Sequence, residues 1–279
     1  MSVLQFTKMQ GNGNDFIVID NRTARFSSAD LARLALLLCP RGWSVGADGL
    51  VVLEENPETD FTMRLFNSDG TEAEMCGNGA RCAARYASEK GLAHGKMVFT
   101  TLSGPVRAEV TEESVTLDLG VVDLTSVRRK EVFPFYGKEI LYTHLVTGVP
   151  HTVVFPEGIR GKDRRDLREL AEALQADRGR FPEGTNVNFI IEVAASLKVQ
   201  TFERGVGDFT LSCGTGSAAA TIAAWLEGLV NPPVSVNNPG GVNIVGFPDD
   251  KGLQALPVTL TGPAEFVYEG HVKDPNLFV

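Results

Sequence analysis

Two cysteines stand in matching surroundings, Cys76-Gly77-Asn78-Gly79 and Cys213-Gly214-Thr215-Gly216, 137 residues apart. A polar turn precedes each, and a run of small residues that reads as a helix follows, so each sulfur is expected at a helix start. There the unpaired N–H groups of the first turn and the positive end of the helix dipole favour thiolate. A helix N-terminus can bring a cysteine pKa from about 8.5 to between about 3.5 and 7.5, which prepares the sulfur as base or nucleophile. The glycines permit close backbone approach, so the same N–H groups can hold a carboxylate. Two such half-sites facing each other across a domain cleft would put their sulfurs on opposite sides of one bound carbon, each roughly 3 to 3.5 Å away. One thiolate then removes an α-proton and the other thiol protonates the opposite face, while backbone amides take up the charge that develops. The chemistry expected is racemisation or epimerisation by two bases, without cofactor.

Other residues join this site as candidates. His151, after Val149-Pro150, and Glu203, opening the polar turn before Cys213, either polarise the thiols or hold a substrate ammonium. Arg204 has the planar fork that suits a second carboxylate, an exposed surface arginine being the plain alternative. A cysteine in a glycine-rich turn, taken alone, serves equally as a structural residue or a redox sensor; the matched pair favours chemistry. Cys39, closing the apolar run Leu34–Leu38, and Cys82, inside an alanine-rich helix, read as buried small hydrophobes. No metal is expected, since the four cysteines form no CxxC pair and the ligand types are not clustered. No lysine has a Schiff-base context.

The elements that must position these residues repeat. From each cysteine, Ala recurs at +7 and +11 (Ala83 and Ala220, Ala87 and Ala224), Gly-Leu at +15 and +16 (Gly91-Leu92, Gly228-Leu229) and Gly at +28 (Gly104, Gly241). Upstream, Gly46-Ala47-Asp48-Gly49-Leu50 resembles Gly184-Thr185-Asn186-Val187-Asn188. Each copy reads as strand, polar turn, CGxG, and a helix of about fifteen positions ended by glycine, then more strands. Alternating or β-rich runs are expected at 16–19, 50–53, 61–66, 97–101, 106–110 and 115–119, then at 140–146, 152–155, 189–193, 197–202, 242–245, 255–261 and 265–268. Two further helices, Ala29–Cys39 capped by Ser27 or Ser28 and Arg164–Gln175, should lie outside. The helices after Cys76 and Cys213 are alanine-rich and apolar nearly all round, which suits the centre of a curled sheet. The expected class is α+β: two pseudo-symmetric domains, each a β-barrel-like sheet around a central α-helix.

A chain of 279 residues, 43% hydrophobic and 22% charged, suits two folded domains. Its formal charge of -9 argues against nucleic acid or an anionic membrane as partner, and no apolar run approaches a membrane span. A small-molecule substrate is expected. The first sixteen residues carry polar and charged groups where a secretory signal needs an apolar core, so cytoplasm is the default, with the cysteines as free thiols.

With these motifs assembled, the chain resembles diaminopimelate epimerase, a pyridoxal-independent enzyme family of bacterial and plant lysine biosynthesis. The resemblance rests on Lys8-Met9-Gln10-Gly11-Asn12-Gly13-Asn14-Asp15-Phe16, Gly46-Ala47-Asp48-Gly49-Leu50, Phe66-Asn67-Ser68-Asp69-Gly70, Cys76 to Cys82, Pro150-His151, Asn186, Glu203-Arg204-Gly205 and Cys213-Gly214-Thr215-Gly216. It implies paired domains, 1–120 with 264–279 and 121–263, and a homodimer. It further implies Cys76 and Cys213 as the acid/base thiols, tuned by His151 and Glu203. The N–H groups of Gly77, Asn78, Gly214 and Thr215 would hold the reacting carboxylate, and Asn14, Asn67, Asn186, Glu203 and Arg204 the rest of the substrate. The implied reaction interconverts LL- and meso-diaminopimelate, which feeds lysine and peptidoglycan precursors.

Departures from the family pattern fall at Gln10 and Asn12, where His and Leu are common, at Val149, where Asn is common, and at Phe209, where an acidic residue is common. Val149 removes an amide from the distal end of the substrate. One alternative is therefore a racemase of the same fold acting on another amino acid such as histidine. Another is an isomerase of this fold with a carboxylate in place of the thiols, which two intact CGxG motifs oppose. An alternative of a different class is a redox sensor or binding protein whose Cys76 and Cys213 form a reversible disulfide.

Overall fold

Asn12 and Gly13 have φ of 53° and 80°, the two-residue turn that folds β1 (Leu4–Gly11) back on β2 (Asn14–Asp20). Asparagine tolerates this left-handed backbone far better than leucine, which accounts for Asn12. The computed structural model describes residues 3–273, which divide into two units, 3–117 with 262–273 and 118–261.

In the first unit α1 (Ser28–Leu38), capped by Ser27 and Asp30 in a reciprocal box, carries the chain to β3 (Gly49–Glu54), parallel to β2. β4 (Phe61–Asn67) pairs antiparallel with β3 and with the short β5 (Glu72–Ala73). α2 (Gly77–Glu89) then crosses to β6 (Lys96–Thr101), parallel to β4, and β7 (Gly104–Val110) and the start of β8 (Val115–Asp123) follow antiparallel.

The second unit runs β9 (Arg128–Phe135), β10 (Lys138–Thr147) and β11 (Val149–Val154), then α3 (Pro156–Ile159) and α4 (Arg164–Ala176). β12 (Asn186–Val193), β13 (Leu197–Phe202), β14 (Phe209–Thr210), α5 (Gly214–Leu226), β15 (Val234–Asn238), β16 (Gly241–Gly246) and β17 (Ala255–Gly262) complete it. β9–β10–β11 are antiparallel, β11–β12 parallel, β12–β13 antiparallel, β13–β15 parallel and β15–β16–β17 antiparallel. The first unit shows the same ladder once β18 (Glu265–Val272), which pairs antiparallel with β1, stands where β9 stands in the second. Residues 274–279 of the expected 264–279 segment lie outside the described residues.

α2 touches β1, β2, β3, β4 and β7, and α5 touches β10, β11, β12, β13, β15 and β16. Strands from both halves of each ladder thus reach one helix, and the sheet wraps it. Gly91 and Gly228, at φ of 66° and 76°, stop the two helices where expected. α5 is buried from Gly216 to Trp225, as its alanines require. α2 departs from expectation: Arg81 and Arg85 are buried in it, donating to the carbonyls of Pro263 at 3.1 Å and Thr111 at 2.6 Å. β1, β9 and β15 are strands that hydropathy did not signal. In β1, Lys8 is buried against the Asp15 carboxylate at 2.6 Å rather than facing solvent. No helix of the described residues is long and apolar enough to cross a membrane.

Candidate active site

Cys213 is the N-cap of α5 and Cys76 that of α2, each with extended backbone before the first helical turn. The strand registers explain why polar residues gather beside each. In the second unit His151 lies opposite Asn186 and Val187 opposite Phe202, so the same ends of β11, β12 and β13 carry His151, Asn186 and the Glu203-Arg204 turn. In the first, Phe16 lies opposite Gly49 and Gly49 opposite Asn67, which brings Asn14, Asp48 and Asn67 to one sheet end.

Around Cys213 the donors are explicit. The Gly216 amide donates to Sγ at 3.3 Å, and the Thr215 hydroxyl lies 3.5 Å from it. Thr215 Oγ1 is 3.0 Å from His151 Nε2, and His151 Nδ1 is 3.0 Å from the Asn188 side-chain amide. Glu203 accepts from the Thr210 hydroxyl at 2.8 Å, and the Arg204 amide donates to Asn186 Oδ1 at 2.8 Å. The Arg204 guanidinium, exposed, donates to the Glu183 carbonyl. Burial, then the neighbouring Glu203 charge, pushes the Cys213 thiol up against the lowering pull of Thr215 and Gly216. The pull of the helix start toward thiolate is therefore opposed at Cys213 by burial and by Glu203. Burial also raises the Glu203 carboxyl, against hydrogen bonds from Thr210 and Cys213.

The Cys76 half-site is built differently. Its Sγ donates to Asn14 Oδ1 at 3.5 Å, where Asn78 Nδ2 also donates at 3.3 Å. Asn14 Nδ2 is held by Asp48 at 2.7 Å, and Asp48 by Arg41 at 2.8 Å. Arg41 also grips Asp15; burial would raise that carboxyl, but Arg41 and Lys8 outweigh it and hold it at about 2. Arg81 donates to Asn78 Oδ1 at 2.6 Å. Asn67 donates to Thr71 within its own turn at 3.0 Å. Gly77, Asn78, Gly214 and Thr215 supply backbone amides in the first turns of α2 and α5.

Cys39 and Cys82 are buried, and burial pushes their thiols up to about 11 and about 12. Gln10 accepts from the Gly13 amide at 2.9 Å and donates to Glu265 at 2.6 Å, tying the turn to β18. Phe209 packs edge-on against Phe202 at 5.3 Å with Arg164 over its ring at 5.0 Å, so it serves the core where an acidic residue was the family habit. Val149 opens β11, partly buried, opposite Thr147. Asn188, Thr201 and the Lys8–Asp15–Arg41–Asp48 cluster escaped the sequence reading, although Asn186-Val187-Asn188-Phe189 puts two amides on one face of an apolar strand.

His151 carries a measurable consequence. Burial brings its imidazole down to about 3, whereas in the unfolded chain it titrates near about 6.5. The unfolded state binds that proton first, so native stability falls as pH drops from about 6.5 toward 3, by about 1.4 kcal/mol per pH unit for this one residue. His144, brought to about 4 chiefly by burial, adds in the same direction with a smaller weight because it is partly solvated. Urea denaturation at stepped pH measures the slope, and a flat profile between about pH 7 and 5 would contradict neutral burial of His151.

The diaminopimelate epimerase family model matches residues 6–126 and 143–267. A diaminopimelate epimerase of Aquifex aeolicus (strain VF5) is 38% identical over 285 residues, spanning 98% of this chain and 99% of the relative. One from Methanocella arvoryzae is 37% identical over 284 residues, 98% of each chain. Among solved structures, a phenazine biosynthesis protein of the PhzF family from Bacillus anthracis matches at a TM-score of 0.74 and 16% identity, over 98% of this chain and 100% of that one. A hydroxyproline epimerase from Agrobacterium vitis, with bound trans-4-OH-L-proline, matches at 0.67 and 18% identity, over 98% and 94%. These two show a shared fold.

Proposed function

Because the chain belongs to the diaminopimelate epimerase family, we propose that it interconverts LL- and meso-2,6-diaminopimelate through Cys76 and Cys213, without a cofactor. The observation that carries this is the doubled cysteine N-cap, each with polar residues gathered at the neighbouring strand ends. One sulfur, as thiolate, takes the α-proton and leaves the electron pair on the substrate. The other, as thiol, gives its proton to the opposite face, so the two sulfurs exchange protonation states with each turnover. Amides of Gly77, Asn78, Gly214 and Thr215 hold the reacting carboxylate and stabilise its developing charge. Glu203 takes the Cys213 proton when that residue must act as base, and His151 orients Thr215 toward the sulfur. Asn14, Asn67, Asn186 and Arg204 hold the remaining head groups.

The domains responsible are 1–120 with 264–279 and 121–263. We place the enzyme in the cytoplasm, whose reducing conditions keep both thiols free, as a homodimer; its mass in solution tests the assembly. β18 supports that assembly: Phe266, Val267 and Tyr268 are exposed on it, and among the described residues it pairs with β1 alone.

The experiment is incubation of the reduced protein with LL-diaminopimelate in deuterated water, beside L-histidine and L-glutamate, with the α-proton signal followed by NMR. Exchange with diaminopimelate alone is expected. Exchange with histidine instead would keep the two thiols and reassign the substrate through Val149, and exchange with none would remove the two-thiol reading.

A further inference from the structure

Gly79 and Gly216 occupy the same place in the two copies, three residues after their cysteines, but they rest on different floors. A Cβ on Gly79 would meet Met63, Phe16 and Val51, all apolar, at 3.4 to 3.5 Å. A Cβ on Gly216 would fall 2.3 Å from Asn188 Oδ1 and 3.0 Å from Thr201 Oγ1. The registers match these floors: Phe16 and Val51 lie on β2 and β3 where His151 and Asn188 lie on β11 and β12. One copy thus has a buried polar floor beneath its cysteine where the other has hydrocarbon, and such a floor is costly unless every member is bonded.

The bonds orient that floor. Thr152 O can only accept, and Asn188 Nδ2 donates to it at 3.4 Å, while Oδ1 accepts from the Thr201 hydroxyl at 2.9 Å. With Nδ2 facing it at 3.0 Å, His151 Nδ1 must be the bare, accepting nitrogen, and the ring proton sits on Nε2. Nε2–H then donates to Thr215 Oγ1, which leaves the Thr215 hydroxyl proton to point at Cys213 Sγ, 3.5 Å away. In the other tautomer Nε2 would take that proton for itself.

We propose that Asn188 is a positioning residue of the epimerase: by locking His151 in its Nε2–H tautomer it aims the Thr215 hydroxyl proton at Cys213 and lowers the cost of forming thiolate there. Asn188 is fully buried and touches no reacting atom, acting only through His151, Thr215 and its seat under Gly216. The charged and titratable groups acting on these residues are Glu203 on Cys213, and His144 and Arg204 on His151. The inference rests on the reading of Cys213 as an acid/base thiol, but its first measurement does not.

Histidine-labelled wild-type protein is examined by 15N NMR for His151, expected with Nε2 protonated and Nδ1 bare from neutral pH down to about pH 5; an Nδ1–H tautomer overturns the proposal whatever the activity. In Asn188→Asp, a carboxylate accepts from Nδ1–H and reverses the tautomer. The midpoint of Cys213 alkylation by iodoacetamide, followed on the Cys213 peptide, should then rise by about one pH unit, with the acid limb of kcat/KM moving alongside. Asn188→Leu, which removes the donor without adding charge, should move both the same way. Unmoved midpoints in a folded variant overturn the proposal. Failure of the underlying reading would show differently, as inversion that survives Cys213→Ser.

Discussion

Cys213→Ser should fold, keep its ligand and lose inversion by about a thousandfold or more, the range over which a positioned acid or base acts. A serine hydroxyl can accept from the Gly216 amide and the Thr215 hydroxyl that now approach Sγ at 3.3 and 3.5 Å, so local structure survives. Its proton affinity, however, is far above that of a thiolate, and the burial that already raises the Cys213 thiol penalises an alkoxide more. Cys76→Ser should behave alike, since a hydroxyl can donate to Asn14 as the thiol does. Circular dichroism and urea midpoints report the fold, and NMR reports inversion of LL-diaminopimelate. A redox sensor or binding protein would lose no turnover because it has none. Near-wild-type inversion by either serine variant would sink the two-thiol mechanism.

Gly216→Ala should destabilise the protein by ~1–3 kcal/mol through overpacking, while Gly79→Ala, at the matching place, should be neutral or stabilising by up to ~1 kcal/mol. The difference lies in the floors. The added methyl at 216 falls 2.3 Å from Asn188 Oδ1, and Asn188 is fully buried among Thr152, Thr201 and His151 with nowhere to retreat. At 79 the nearest atoms stand at ordinary contact distance, and alanine costs the helix less entropy than glycine. Displacement at 216 also moves the amide that donates to Cys213 and the Asn188–His151–Thr215 chain, so its activity should fall by about a hundredfold, the cost of a misplacement near 1 Å. Paired urea titrations and inversion rates decide both; equal effects at the two glycines would remove the asymmetry argued for the half-sites.

The repeat was readable because cysteines, glycines and alanines hold register through two copies, and Gly91, Gly104, Gly228 and Gly241 all take the positive φ that only glycine accepts cheaply. β1 was not readable, since its burial of Lys8 depends on Asp15 across the hairpin and on the Gly46 carbonyl, 38 residues away. The site residues that announce chemistry by type, the two cysteines, His151 and Glu203, were all in view. Those that act through geometry were hidden: an asparagine in an apolar strand carries no mark of the imidazole it faces until the parallel pairing of β11 and β12, with His151 opposite Asn186, brings Asn188, two residues on, within 3.0 Å of it. The sense of the Cys213 titration was hidden as well, because a helix dipole is visible in sequence but the depth of burial opposing it is not.

β18 has a consequence for how the protein is made. The second unit is one continuous stretch, 118–261, whereas the first completes its ladder with a strand that begins at Glu265. On the ribosome, residues 3–117 therefore emerge first yet hold β1 with one edge open until Glu265–Val272 has been synthesised. The later half of the nascent chain therefore has all its strands in hand before the half that precedes it does. The order of translation and the order of completion are reversed, and the unpaired edge of β1 is the surface a chaperone would have to guard in the interval.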